Sequence, residues 1–267
     1  MTYRRSPIVY LFYAPVAAAL LLWGLWFVVI PDSMVSDLIE KSFKDSNMSV
    51  QITNLKKGVF FDLSMERIAL QKSGNTLFSI DNASGRINLL SLFMARLSLN
   101  FSGDTGGGKI SGRIDLFKGG NHIAVKTRDV HLEELPFFGL TGLDGRGVVS
   151  GELNLENGKG NTTLNVREAA FKSGTFGGVT FPLEMFNSMR GAFSIDDSVL
   201  KVVSFSLEGK GIYARIKGVI TGGTMNLTAQ VMPDKTFMDN NPLFLMLNNY
   251  KVAPGVYSIP INGNLPF

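Results

Sequence analysis

Cysteine is absent from the 267 residues, which excludes disulfides, thiolate metal sites and thiol catalysis together. Histidine is nearly absent. His122 and His131 lie nine residues apart, and with no His-x-x-x-His or Glu-x-x-His spacing they leave a zinc centre without ligands. His122 reads as a strand-face residue and His131 as a helix-start residue. A Ser-His-Asp triad has no preferred candidate, and no Gly-x-Ser-x-Gly elbow occurs. Charge is also scarce, at 18% of residues with a net of +4. Arg4 and Arg5 supply two of those positive charges, leaving +2 for everything after them. Lys and Arg are scattered singly or in pairs such as Lys56-Lys57, with no basic stripe interleaved with aromatics, so the composition gives no footprint for nucleic acid. Carboxylates are spread through turns and strand exteriors without a suggestive pair. The expectation is a non-enzyme with no cofactor and no metal.

One stretch conspicuously lacks charge. Ile8 to Ile30 is 23 residues long without a charged side chain, and as a helix at about 1.5 Å per residue it reaches across a ~30 Å hydrocarbon core. A secretory signal peptide competes with this reading, but its apolar part is shorter, and Ala17-Ala18-Ala19 runs on into Leu20 to Ile30 instead of a polar mature start. An uncleaved anchor is favoured. Trp23 and Trp26 toward one end and Tyr3, Tyr10 and Tyr13 toward the other match interfacial aromatic belts. With Arg4 and Arg5 before the helix and Asp32 after it, the positive-inside rule leaves the N-terminus in the cytoplasm and exports the rest. The division is residues 1–31, N-terminus and transmembrane anchor, and residues 32–267, one β-rich exported domain.

Past the anchor, Val35, Leu38, Ile39 and Phe43 share one face of a short amphipathic helix, which packs on the domain or lies on the bilayer. From Met48 onward apolar and polar residues alternate, as in half-buried strands. Strands are expected at Met48 to Thr53, Val59 to Leu63, Arg67 to Gln71, Leu77 to Ile80, Gly85 to Leu89, Arg96 to Phe101, Lys109 to Phe117 and His122 to Thr127. More follow at Val148 to Leu155, Thr162 to Arg167, Gly191 to Ile195, Leu200 to Leu207, Ile212 to Ile220, Thr224 to Val231 and Val256 to Ile261. Turns such as Gly106-Gly107-Gly108, Asn157-Gly158 and Gly222-Gly223 separate them, and connections this short imply antiparallel pairing. Gly103 to Ile110 matches seven positions of a phosphate-binding loop, but Ile110 stands where a hydroxyl is needed and opens a strand, so it reads as a hairpin turn. Short helices are expected at His131 to Gly139, Pro182 to Met189 and within Asp239 to Tyr250.

A phrase Gly-x-apolar-x-apolar recurs at Gly85, Gly112, Gly151 and Gly191, with weaker echoes at Gly218 and Gly263. Its spacing is too uneven for a solenoid but fits one supersecondary unit used repeatedly. Leu97, Leu99, Phe101, Ile114, Leu116, Ile123, Val125, Leu153, Leu155, Leu227 and Val231 fall on one parity within their strands. They line either an ordinary closed core or an open groove for acyl chains.

The order of these features resembles the type II secretion system protein N family (GspN) of delta-proteobacterial type. The resemblance rests on the single anchor, Leu89 to Leu92 with Ala95 to Leu99, Gly107 to Gly112, Leu132 to Leu135, Gly147 with Val149 to Gly151, Phe181-Pro182 with Gly191, and Gly209 to Ile220. The same features are similar to the wider AsmA-like group of envelope proteins. What the resemblance implies is a single-pass inner-membrane protein with a curved, groove-like or taco-shaped antiparallel sheet in the periplasm. It also implies either contacts with other type II secretion components or binding of lipid acyl chains, and it supplies no catalytic residues.

Overall fold

The computed structural model describes residues 17, 20–21, 23–42, 48–72, 74–88, 90–91, 94, 96–136, 138, 144–176, 179–197, 199–241, 244 and 247–264. Most of the expected anchor over Ile8 to Ile30 lies outside them, as does Phe43. Among the described residues no helix is long and apolar enough to cross a membrane. What is described of the apolar segment ends in a π-helical turn, Leu25–Val29. The helix α1, Asp32–Ser42, follows Pro31.

Alternation then builds the strands. They are β1 (Met48–Thr53), β2 (Lys56–Lys57), β3 (Asp62–Lys72), β4 (Asn75–Ile87), β5 (Arg96–Thr105), β6 (Gly108–Phe117), β7 (Gly120–His131), β8 (Gly145–Glu156) and β9 (Lys159–Phe171). After β10 (Gly174–Phe176) and β11 (Val179–Phe181) come β12 (Ser188–Asp196), β13 (Val199–Gly209), β14 (Ile212–Thr221), β15 (Thr224–Pro233), β16 (Lys251–Ala253) and β17 (Val256–Asn264). Fifteen of them form one open antiparallel sheet in the order β1-β3-β4-β5-β6-β7-β8-β9-β12-β13-β14-β15-β17-β16, with β2 added beside β3; β10 and β11 make a separate ribbon. Nearly every strand pairs with its neighbour in sequence, because the turns are tight. Gly106 and Gly107 take φ of 47° and 68°, and Asn157 and Gly158 53° and 78°, left-handed values that glycine and asparagine adopt readily. The GDTGGGKI stretch is therefore the β5–β6 hairpin.

Some expectations need correction. Val59 to Leu63 is not a strand: Gly58 to Phe61 form the turn of the β2–β3 hairpin, and β3 starts at Asp62. Leu77 to Ile80 and residues 85–87 of the expected Gly85 to Leu89 strand are parts of one strand, β4, interrupted by Asn82 at φ 49° where the register with β5 shifts, and Leu89 lies outside the described residues. The expected helices at His131 to Gly139 and Pro182 to Met189 contain 3₁₀ turns at Leu132–Glu134 and Leu183–Met185. The stretch Asp239 to Tyr250, expected to hold the third short helix, contains a 3₁₀ turn at Leu247–Tyr250, while a helix the sequence reading did not place, α2, precedes it at Lys235–Asp239, capped by the Asp234 carboxylate accepting from the Phe237 N–H at 2.7 Å.

Turns alternate between two ends of the sheet. At one end, here the far end, lie the β5–β6, β7–β8, β9–β12 and β13–β14 connections and the Asp234-to-Tyr250 segment. The near end carries the β2–β3, β4–β5, β6–β7, β8–β9, β12–β13 and β14–β15 turns. Each end holds an apolar cluster. The far-end cluster brings Leu132, Leu135, Phe138, Leu183, Phe186 and Phe244 from the β7–β8, β9–β12 and β15–β17 connections onto Val130, Val149, Val166, Leu207 and Tyr257 of the sheet. Burying each large side chain contributes about 1.5–3 kcal/mol. The smaller near-end cluster joins Trp26, Phe61, Leu63, Met65 and Ala83, with Ile30 and Val35 against it.

Candidate functional site: the apolar sheet face

Direct cross-strand partners place their side chains on the same face, so the register defines that face. One row runs Gly85–Phe101–Gly112–Val125–Leu153–Thr162–Phe193–Val202–Gly218–Leu227–Ile261. The adjacent row, nearer the near end, runs Ile87–Leu99–Ile114–Ile123–Leu155–Gly160–Ile195–Leu200–Ile220–Met225–Gly263. Leu97 pairs with Leu116 beyond it. On the other side of the first row, Gly151–Leu164–Gly191–Phe205–Ile216–Ala229–Ile259 leads toward the covered far end. These rows form an apolar band across eleven strands with no charged residue in it.

The recurring glycines all lie in these rows. Their absence of a side chain leaves room for neighbours. A Cβ on Gly112 would come within 2.5 Å of both the Phe101 ring and the Ala124 carbonyl oxygen, and one on Gly191 within 2.4 Å of the Phe193 ring. Aromatic rings thus lie across glycine positions, with Phe193 and Phe205 centroids 6.1 Å apart around Gly191.

Coverage of the band is uneven. Leu99, Phe101, Ile114, Ile123, Val125, Leu153 and Leu155 are half-buried, while Leu97 and Leu116 are exposed, at 39% and 45%. Phe193, Ile195 and Leu200 continue the half-buried stretch. By contrast Val202, Met225 and Ile261 are buried. Leu227 is half-buried and packs against the far-end cluster, and Val231 is buried within it. Val231 therefore belongs to the closed core and not to the open face, because it pairs with Tyr257 beneath the α2 region. The expected residues from Leu97 to Leu155 come together on one surface over β5 to β8, whereas Leu227 continues the first row in β15, beside the covered part. Sequence parity missed Thr162, Phe193, Ile195 and Leu200 as members of the band. Phe193 and Ile195 were available from the Gly191 phrase. In β13 the bulge near Val203 shifts the register, which breaks simple alternation.

The opposite face is polar. Lys126 pairs with Glu152, Arg67 with Asp81 at 2.6 Å and Arg167 with Asp129 at 2.7 Å. Exposed pairs of this kind contribute about 0–1 kcal/mol each. The cross-strand partners Ser98 and Asp115 are buried there. Asp115 is 7% exposed and accepts from the Arg113 guanidinium at 2.9 Å, with His122 Nδ1 at 3.7 Å. Burial raises its carboxyl, but the Ser98 hydroxyl, Arg113 and His122 more than offset this and hold it below the usual carboxylate range. Among the described residues no group of three or more His, Asp and Glu is placed to hold a metal.

The near end carries the junction with the apolar segment. Trp26 Nε1–H donates to the Gly58 carbonyl at 3.1 Å and Trp23 Nε1–H to the Val59 carbonyl at 3.0 Å. Lys57, its side chain 8% exposed, donates to the Trp26 carbonyl at 2.6 Å and to the Ile30 carbonyl, and lies 3.9 Å from Asp32. Its ammonium also sits 5.2 Å from the Trp26 ring centre. A cation at a helix C-terminus meets carbonyls that lack intrahelical partners. Trp26 stacks on Phe61 at 5.2 Å. Comparison with protein-family models, with curated proteins and with solved structures finds no match.

Proposed function

We propose that this chain is a membrane-anchored envelope protein that holds lipid acyl chains along the open stretch of its apolar sheet face. One observation carries the reading: two adjacent cross-strand rows, uncharged and apolar but for Thr162, stay only half-buried from β5 to β12, on a sheet whose other face is polar. Soluble folds rarely leave contiguous apolar surface of this kind without an occupant. A sheet of fifteen twisted strands also curls, and curling toward the apolar side makes a groove, as expected of the AsmA-like group the sequence resembles. The anchor over Ile8 to Ile30 sets this domain beside the inner membrane on its periplasmic side. A topology reporter fused after Phe267 should be active outside the cytoplasm; activity inside defeats that orientation. For lipid binding, a photoreactive phenylalanine analogue replaces Leu153 or, on the polar face, Asn154 in the full chain. Irradiation should yield phospholipid adducts at 153 and few at 154. Equal yields at the two positions, or none at either, refute the reading.

A protein-contact role, as an accessory component of the type II secretion apparatus, is supported by a different feature. The terminal strand β16 has all three residues exposed, Val252 at 64%, and pairs only through β17. Such an edge accepts a strand from a partner. Val252→Pro should then abolish crosslinks to secretion components in a secreting cell and slow export; unchanged crosslinks and export remove this role.

A further inference from the structure

The turn Gly58 to Phe61 has an apolar tip facing outward. Phe60 is 75% exposed and Val59 45%, in a hairpin whose polar alternatives cost nothing in water. The tip is fixed to the apolar segment and not to the solvent side: the indole N–H groups of Trp23 and Trp26 donate to its carbonyls, and Trp26 stacks on Phe61. Trp23 lies seven residues before Ile30, about 10 Å along a helix. Around it Leu21, Leu25, Phe27, Val28 and Val29 are exposed. Val59 and Phe60 therefore share their level with exposed residues of the apolar segment well before it ends. Tryptophan N–H groups that find carbonyl partners are suited to a layer with little water. The same end of the sheet carries Leu90 and Met94, 73% and 70% exposed, in the β4–β5 connection. The Ile87 N–H ties the end of β4 to the Phe61 carbonyl at 3.1 Å.

We infer that the β2–β3 hairpin tip, Val59-Phe60, is a wedge embedded in the lipid bilayer beside the anchor, with Leu90 and Met94 at the bilayer surface. The inference rests on the proposed membrane-spanning role of the apolar segment. Its occupant is the acyl and headgroup boundary of the leaflet, which takes exposed aromatic and aliphatic side chains next to a spanning helix. The wedge holds the sheet at a fixed height and orientation over the membrane, a constraint that one flexible tether does not impose.

The cysteine-free sequence makes the test direct. Single variants Phe60→Cys, Leu90→Cys, Val28→Cys and Lys217→Cys are labelled with a small fluorophore in the full chain, reconstituted in phosphatidylethanolamine–phosphatidylglycerol vesicles containing spin-labelled lipid. All four sites are exposed, so the substitutions leave packing intact. The expected result is loss of emission at positions 60 and 28, a smaller loss at 90, and none at 217. Quenching at 28 with none at 60 overturns the wedge and leaves the anchor standing. No quenching at 28 defeats the spanning role, and the wedge with it. Protection of 60 from water-soluble reagents without lipid quenching, with disulfide-linked dimers, assigns the tip to a second copy and also overturns the inference.

Discussion

Lys57→Met isolates the junction between the apolar segment and the sheet. The methionine keeps the side-chain length but removes the ammonium that joins the Trp26 carbonyl, the Ile30 carbonyl and Asp32. Charge-assisted hydrogen bonds contribute about 1.5–3 kcal/mol each, and a cation–π contact about 0.5–2 kcal/mol. Against these stands the cost of desolvating an ammonium, several kcal/mol in a site this covered. Losing the bonds also strands two carbonyls at the segment's end, so the net loss is about 2–4 kcal/mol. That weakens docking of the hairpin roughly 30- to 700-fold. The assay is hydrogen exchange in the full chain at the Gly58 amide, which donates to the Asp62 carbonyl at 2.7 Å, and at the Ile87 amide. Both should exchange faster by a factor in that range, while amides of β8 and β9 keep their protection. Tryptophan emission is a second readout, because the chain's two tryptophans are Trp23 and Trp26, both at this junction. If exchange at Gly58 and Ile87 matches the unsubstituted protein, the lysine does not hold the junction and the reasoning fails.

Four further outcomes follow from packing and charge. Leu207→Ala, in the covered cluster at 3% exposure, should cost about 2–5 kcal/mol in urea unfolding, and Leu155→Ala on the open face clearly less; equal costs would mean the face is closed. Gly112→Ala should cost about 1–3 kcal/mol through the Ala124 carbonyl and Phe101 ring, seen as a lower thermal midpoint. Asp115→Asn should destabilise at pH 7 by about 1–3 kcal/mol, since Arg113 loses its buried partner. The carboxyl is held below the usual range, so its contribution is complete above the unfolded value of about 3.9 and is lost as pH falls through the depressed one; the gap between variant and parent should narrow at pH 3, and a gap that is constant with pH refutes the linkage.

Much of the sheet was legible because its two faces differ so sharply. The alternation in Met48 to Thr53 gives β1 with its observed bounds, and the parity of Leu97 to Leu155 picks out the face later found open. Failures cluster where an apolar residue is not buried or alternation slips. Val59-Phe60 reads as strand only if its side chains seek a core, whereas they point out from a turn. Asn82 and the Val203 bulge each shift the register by adding a residue that faces neither partner, so β4 looked like two strands and β13 hid its membership of the rows. The strands β2, β10, β11 and β16 are two or three residues long, too short for a period to register. Which part of the band is covered depends on where Leu132 to Phe138, Leu183 to Phe186 and the α2 region fold back, a matter of tertiary placement. Val231 and Leu155 have the same local pattern and different fates for that reason.

Because almost every strand is bonded to the one before it in the chain, the sheet has no obligatory length. A hairpin could be inserted or deleted in pairs of strands, and each remaining residue would keep its face and its turns would keep their ends. Size is thus a tunable quantity for this architecture, as in repeat arrays, with the junction at one terminus and β16 at the other acting as fixed ends. Local pairing also lets such a chain zip up progressively as it emerges, since few contacts must wait for distant sequence.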